Sequence, residues 1–170
     1  GQALSKDSIR VSDAGSISDS VFTNFSSVES LILKNSGNYQ VKLESNAENA
    51  GIRKVESSRG NDEIDASAYT TGIEIESGWG DDSVTGGGGN DKFEGGRGKD
   101  WIDLNNGGAD KVEYESVLDG SAVTTTGNFS GYDEITGFTT DDCIDADFSY
   151  KGVGTATLDT GDDLTLCDVT

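Results

Sequence analysis

The chain contains no histidine, no methionine and no proline, two cysteines, and 12 basic against 32 acidic residues, for a formal net charge of -20. Without histidine there is no Cys–His nucleophile, and the usual general base at neutral pH is missing. Two cysteines fall short of a zinc site once histidine is excluded. Cys143 and Cys167 leave a disulfide and two independent thiols equally open, because sequence does not give their separation. So few Lys and Arg argue against nucleic acid and anionic membrane surfaces as partners. No run approaches the ~18 apolar residues of a membrane span, so no membrane insertion is expected. No charged-then-apolar leader opens the chain, which starts at Gly1 rather than Met and reads as an excised fragment.

What the chain has is acid and glycine, with Gly at 24 of 170 residues. That length suits one domain or one elongated module. Low hydrophobicity with high net charge places the chain, without cations, toward the disordered side of composition space. The carboxylates, however, are phased. Residues 77–113 read SGWGDDSVT, GGGGNDKFE, GGRGKDWID, then Leu104, then NNGGADKVE. Each unit of about nine residues places Gly fourth (Gly80, Gly89, Gly98, Gly108), Asp sixth (Asp82, Asp91, Asp100, Asp110) and an apolar residue eighth (Val84, Phe93, Ile102, Val112).

The unit divides into a turn and a short strand. Glycine tolerates positive φ, so a Gly-rich turn can curl its carbonyls toward one point, and Asn105 and Asn106 are tolerable substitutes. Calcium takes about 6–8 oxygen ligands, which carbonyls from two turns and two Asp carboxylates would supply. In the strand the eighth residue points inward. Ser83, Thr85, Lys92, Glu94, Asp103, Lys111 and Glu113 then point out.

These units resemble the RTX (repeats-in-toxin) nonapeptide. The resemblance implies a right-handed parallel β-roll in which calcium lies between a turn and the next but one. It implies about three ions, held by Asp82 with Asp100, Asp91 with Asp110, and Asp62 with Asp82. The earlier turn of each pair would give the carbonyls of its first and third residues: Ser57 and Arg59, Ser77 and Trp79, Gly86 and Gly88. The later turn would give those of its second and fourth: Gly78 and Gly80, Gly96 and Gly98, Asn106 and Gly108. The family also implies export by a type I secretion system and folding on extracellular calcium.

Upstream, a ladder of apolar residues continues the pattern. Leu33, Leu43, Val55, Ile64 and Ile75 lead into Val84, at spacings that a solenoid with variable turns produces. SSRGNDEID at 57–65 is a half-preserved unit with Gly60, Asp62 and Ile64 in place. Ile73 and Arg53 stand where Asp would be, so the site at Ile73 should be weak or empty and the turns upstream have lost metal ligands. A strand is expected around Ile9 and Val11, a helical turn at 19–25 with Val21, Phe22 and Phe25 as its apolar face, and a short helix at 46–51. After Glu113 the period breaks. Asp133–Phe138 and DDCID at 141–145 resemble the segment that caps β-rolls, with Ile135, Phe138, Ile144 and Phe148 covering the open last coil. Late strands are expected at 155–158 and 164–166.

The sequence thus predicts an all-β parallel solenoid: degenerate turns at 1–56, a calcium roll at 57–113 and a β-rich cap at 114–170. The expected function is calcium-dependent structure in a secreted bacterial cell-surface protein of surface-layer or adhesin type, without catalysis. Neighbouring domains or like subunits are possible partners. A module of a secreted hydrolase or polysaccharide epimerase, or a carbohydrate-binding module using Trp79 and Trp101, is the alternative.

Overall fold

The computed structural model describes residues 7–115, 119 and 133–146. Its strands in chain order are β1 Ser8–Val11, β2 Gly15–Ile17, β3 Ser30–Leu33, β4 Tyr39–Lys42, β5 Lys54–Glu56, β6 Glu63–Asp65, β7 Glu74–Glu76, β8 Ser83–Thr85, β9 Lys92–Glu94, β10 Trp101–Asp103, β11 Lys111–Tyr114, β12 Glu134–Thr136 and β13 Cys143–Ala146. Odd-numbered strands form a seven-stranded sheet in sequential order, and even-numbered strands form a six-stranded one. Successive strands alternate between the sheets, and neighbours within each sheet run parallel, so the chain is a parallel β-solenoid. No helix among the described residues is long and apolar enough to cross a membrane.

Strands this short have no stability alone. Each inner strand bonds the strands one coil before and after it, and the strands from β5 to β10 put their central residue into a common core. Leu31, Val55, Ile75, Phe93, Val112 and Ile144 stack in one sheet. Val41, Ile64, Val84, Ile102 and Ile135 stack in the other. Leu31 and Val41 thus occupy the aligned places expected for Leu33 and Leu43. β3 and β4 are longer, and alternation turns two side chains of each inward, Leu31 with Leu33 and Tyr39 with Val41; Leu43, just past the end of β4, is buried as well. Leu104, the residue that breaks the nonapeptide phase, is also buried in the core.

The upstream turns replace the repeat with hydrogen bonding. Helix α1, Ser45–Ala50, is capped by the Asp19 carboxylate, whose Oδ1 accepts the Glu44 and Ala47 N–H groups at 2.8 Å and whose Oδ2 accepts that of Asn46 at 3.0 Å. Burial alone would raise the pKa of Asp19, but these N–H groups outweigh it and hold the carboxyl below its usual value. Gly51 ends the helix in the left-handed region. Glu48 Oε1 accepts both the N–H and the hydroxyl of Thr70 and of Thr71, at 2.8–3.1 Å. The expected turn at 19–25 is a 3-10 helix over Asp19–Phe22. Of its apolar face only Phe22 is buried; Val21 and Phe25 are exposed.

The seven-stranded sheet compensates part of the acidity on its outer face. Lys54 Nζ lies 2.5 Å from Glu76 and 3.5 Å from Glu74, Lys92 3.1 Å from Glu74 and 2.8 Å from Glu113, and Lys111 2.9 Å from Glu113 and 2.5 Å from Asp145. Each pair is partly solvated and individually weak. Cys143 in β13 is disulfide-bonded. Cys167, Phe148 and the strands expected at 155–158 and 164–166 lie outside the described residues.

The turns leave no room for side chains. Gly98 has φ +141°, and a Cβ there would sit 1.8 Å from the Gly80 carbonyl oxygen. Gly98→Ala is expected to cost well over 1 kcal/mol, from the left-handed backbone and the displaced coil together. Gly107, at φ +86° with open space around it, should accept Asn with little effect. Thermal midpoints of the two variants check the contrast; equal midpoints would contradict the close stacking.

Candidate metal centre

The sixth residue of each unit ends its turn two places before an inward apolar residue. Stacking the coils therefore stacks these residues into two columns, one along each side of the solenoid. In the first column Tyr39 N–H donates to Asp62 Oδ1 (2.8 Å), Asp62 N–H to Asp82 Oδ1 (2.7 Å), Asp82 N–H to Asp100 Oδ1 (2.9 Å) and Asp100 N–H to Asp133 Oδ1 (2.9 Å). In the second, Ile73 N–H donates to Asp91 Oδ1 (2.9 Å), Asp91 N–H to Asp110 Oδ1 (2.8 Å) and Asp110 N–H to Asp142 Oδ1 (2.8 Å). Ile73 thus holds the place in the second column where the sequence puts no carboxylate. Asp62, Asp82, Asp91, Asp100, Asp110 and Asp142 are all buried.

First-position glycines make this possible. A Cβ at Gly86 would lie 2.6 Å from Asp91 Oδ2, and one at Gly95 2.5 Å from Asp100 Oδ2. Fourth-position and second-position glycines let the coils approach: Cβ atoms at Gly80, Gly96 and Gly108 would lie 1.9, 2.0 and 2.1 Å from the carbonyl oxygens of Gly60, Gly78 and Gly89.

The second carboxylate oxygens divide the aspartates. Asp62 Oδ2 accepts from the Ser57 hydroxyl, Asp91 Oδ2 from Gly87 N–H at 2.7 Å, and Asp142 Oδ2 from Thr139 N–H at 2.7 Å and its hydroxyl at 3.0 Å. The Oδ2 atoms of Asp82, Asp100 and Asp133 are buried with no hydrogen-bond partner. All three belong to the first column. Buried carboxylate oxygens normally find partners, because an unpartnered one forfeits its hydration. Burial, then the charges of Asp100 and Asp62, push Asp82 up to about 8. Burial, then Asp133, pushes Asp100 up to about 7, and burial raises Asp133 and Asp110 to about 6. Such a column needs a proton or a cation.

The residues present fit a hard cation. The donors are all oxygens, with no imidazole or thiolate, which suits calcium. Among the described residues no three acidic, His or Cys side chains converge, so a metal would draw its remaining ligands from the main chain. Several of the expected carbonyls already accept one bond each: Trp79 O from Gly60 N–H (2.9 Å), Gly78 O from Arg97 N–H (2.8 Å) and Gly86 O from the Asn106 side-chain amide (2.8 Å). A carbonyl has a second lone pair for a metal. Ser77 is fully buried, with its hydroxyl on Gly95 O at 3.0 Å. Gly88 N–H is bonded to Tyr69 O at 2.8 Å.

Arg59, Trp79 and Arg97, the third residues of successive turns on one side, form a ladder. The two guanidinium carbons stand 4.3 and 4.5 Å from the Trp79 ring centroid. These cation–π contacts come from the coils on either side, so two guanidinium groups compete with a sugar for the ring of Trp79, which itself stays 45% exposed. Trp101 remains partly exposed on β10.

Sequence reasoning passed over Asp133 and Asp142 as ligand-column residues. Their signal is the same aspartate two places before Ile135 and Ile144, hidden by separations of 33 and 32 residues from Asp100 and Asp110 in place of the 18 between Asp82 and Asp100. It also passed over a parallel ladder at the fifth position: Asn61, Asp81 and Lys99 N–H groups donate to the side chains of Asn38, Asn61 and Asp81. The chain matches no family model, no curated protein and no solved structure.

One consequence is a pH dependence of the metal-free chain. Asp82, Asp100 and Asp133 keep their protons to higher pH when folded than the ordinary value of about 3.9 in the unfolded chain. The folded state therefore binds more protons over that window, and stability falls as pH rises toward about 8. With divalent ions chelated, the thermal midpoint is expected to be higher near pH ~5 than near pH ~8.5. A midpoint rising over that interval would contradict it.

Proposed function

We propose that the chain is a calcium-binding structural module of the RTX type. It is a β-roll that folds and stiffens on extracellular calcium and forms part of a secreted bacterial cell-surface protein. The observation that carries the reading is the first aspartate column, whose buried Oδ2 atoms on Asp82 and Asp100 have no protein partner. Calcium between stacked turns would satisfy those oxygens and offset the like charges, with carbonyls of residues 77–80 and 95–98 within the same pair of turns. The second column, Asp91 with Asp110, and the Asp62–Asp82 pair complete the set of three candidate positions. Asp91 and Asp62 already hold protein hydrogen bonds on Oδ2, so these positions are expected to bind more weakly. Phased glycine and aspartate, absence of histidine and compensation of the sheet face by lysine all suit a scaffold rather than a catalyst. The Arg59 and Arg97 guanidinium groups on the Trp79 ring count against the carbohydrate-binding alternative. Calorimetric titration of metal-free protein with calcium tests the reading: saturable binding of more than one ion is expected, with magnesium a poor substitute because it demands a smaller octahedral shell. Absence of calcium binding would overturn it.

A further inference from the structure

The aspartate column does not stop where the nonapeptides stop. Asp133, at the start of β12, stands against Asp100 as Asp100 stands against Asp82: in both pairs an N–H meets the next Oδ1 at 2.9 Å. We infer that Asp100 and Asp133 form a further divalent-cation position, which ties the strand beyond the long insertion to the roll.

Two features distinguish this pair from a mere cluster of acids. First, Asp100 is completely buried, and its Oδ2 and that of Asp133 both lack a partner. Only the Asp82–Asp100 pair shares that property among the described residues. Second, no ion pair with Lys or Arg reaches either carboxylate among the described residues, although lysines serve the acidic rows of the neighbouring sheet face. Asp119, carried by the insertion, is a like-charge neighbour of both Asp100 and Asp133. The Tyr114 hydroxyl hydrogen-bonds the Asp133 carboxyl group and helps to orient it.

The other column shows what a closed end looks like. There Asp142 is the residue beyond the insertion, and Thr139 satisfies its Oδ2 twice. Position by position, the fold provides two ways of docking a coil beyond the repeats. One uses a threonine turn. The other leaves two carboxylates facing each other across one coil spacing, an arrangement that gains from a shared cation. β12 is held by three residue pairs with β10, so a cation at its root would matter for whether it docks.

The inference rests on the calcium reading, and its test separates the two. Asp133→Asn keeps an Oδ1 acceptor for the Asp100 N–H and removes one charge. Bound calcium per chain, measured by equilibrium dialysis and atomic emission, should fall by one ion, while the calcium-induced circular dichroism change survives. Asp142→Asn should leave the count unchanged. An unchanged count in Asp133→Asn, with the wild type binding calcium, would overturn the inference alone; a wild type that binds no calcium would overturn the functional reading. If Asp133→Asn does not fold, anomalous diffraction from wild-type crystals grown with terbium decides. A peak between Asp100 and Asp133 is expected, and a peak between Asp82 and Asp100 without one at the next pair would overturn the inference.

Discussion

Chelating calcium from the folded chain should lower its thermal midpoint by roughly 10 °C or more, or unfold it outright. The size follows from mass action. A site held at about ten times its Kd stabilises the fold by about 1.4 kcal/mol, and calcium modules outside the cell bind near ~10⁻⁴–10⁻³ M. Several such sites together approach the total stability of an ordinary domain, about 5–15 kcal/mol. Removal also leaves the buried Oδ2 atoms of Asp82, Asp100 and Asp133 without a compensating cation. The loss should not be uniform. The coils built on Asp19 and Glu48 are held by N–H and hydroxyl donors, whereas β8, β10 and β12 meet at the unpartnered column. Hydrogen exchange with and without chelator should therefore show protection lost first around 77–103 and 133–136, and last around 39–56. Unchanged far-ultraviolet dichroism and midpoint in chelator would defeat this expectation.

Asp100→Asn is expected to change sign with calcium. Without metal the variant removes a buried charge whose Oδ2 has no partner while keeping an acceptor for the Asp82 N–H. Metal-free stability should rise, on the order of 1–3 kcal/mol. With calcium the same variant loses a ligand common to the Asp82 and Asp133 pairs, and the calcium-dependent gain should shrink by about 3 kcal/mol if both positions empty. The sequence alone makes Asp82 the aspartate shared by two sites, through Asp62 and Asp100. The structure gives Asp100 the same standing through Asp133 and leaves both of its partners with an open oxygen. Midpoints measured with calcium and with chelator check the crossing. Destabilisation by the same amount in both conditions would show that Asp100 serves the fold and not a cation.

Much of this was legible because a solenoid is nearly one-dimensional. Each coil contacts its neighbours, so a period in the sequence becomes a stack in space. Gly80, Asp82 and Val84 recur as Gly98, Asp100 and Ile102, and the register pairs Val84 with Ile102. The same logic is less sharp where a coil changes length. Leu33 and Leu43 are inward as their spacing predicts, but Leu31 and Val41, two residues earlier, are inward too and hold the aligned register. Asp133 carries the right local pattern but lies 33 residues from its partner, and a period of about nine residues cannot be followed across an insertion of that size.

Glycine, aspartate and an apolar residue at fixed offsets admit few other backbones, so residue order was enough for the solenoid, its inward residues from Val55 to Val112 and the aspartates that line its turns. Which carboxylates are left without a partner is a matter of packing in space. That depends on what each Oδ2 meets: the Ser57 hydroxyl for Asp62, the Gly87 N–H for Asp91, the Thr139 turn for Asp142, and nothing for Asp82, Asp100 and Asp133. The partner of a buried oxygen is set by the position of its neighbours in three dimensions, and residue spacing carries no record of it.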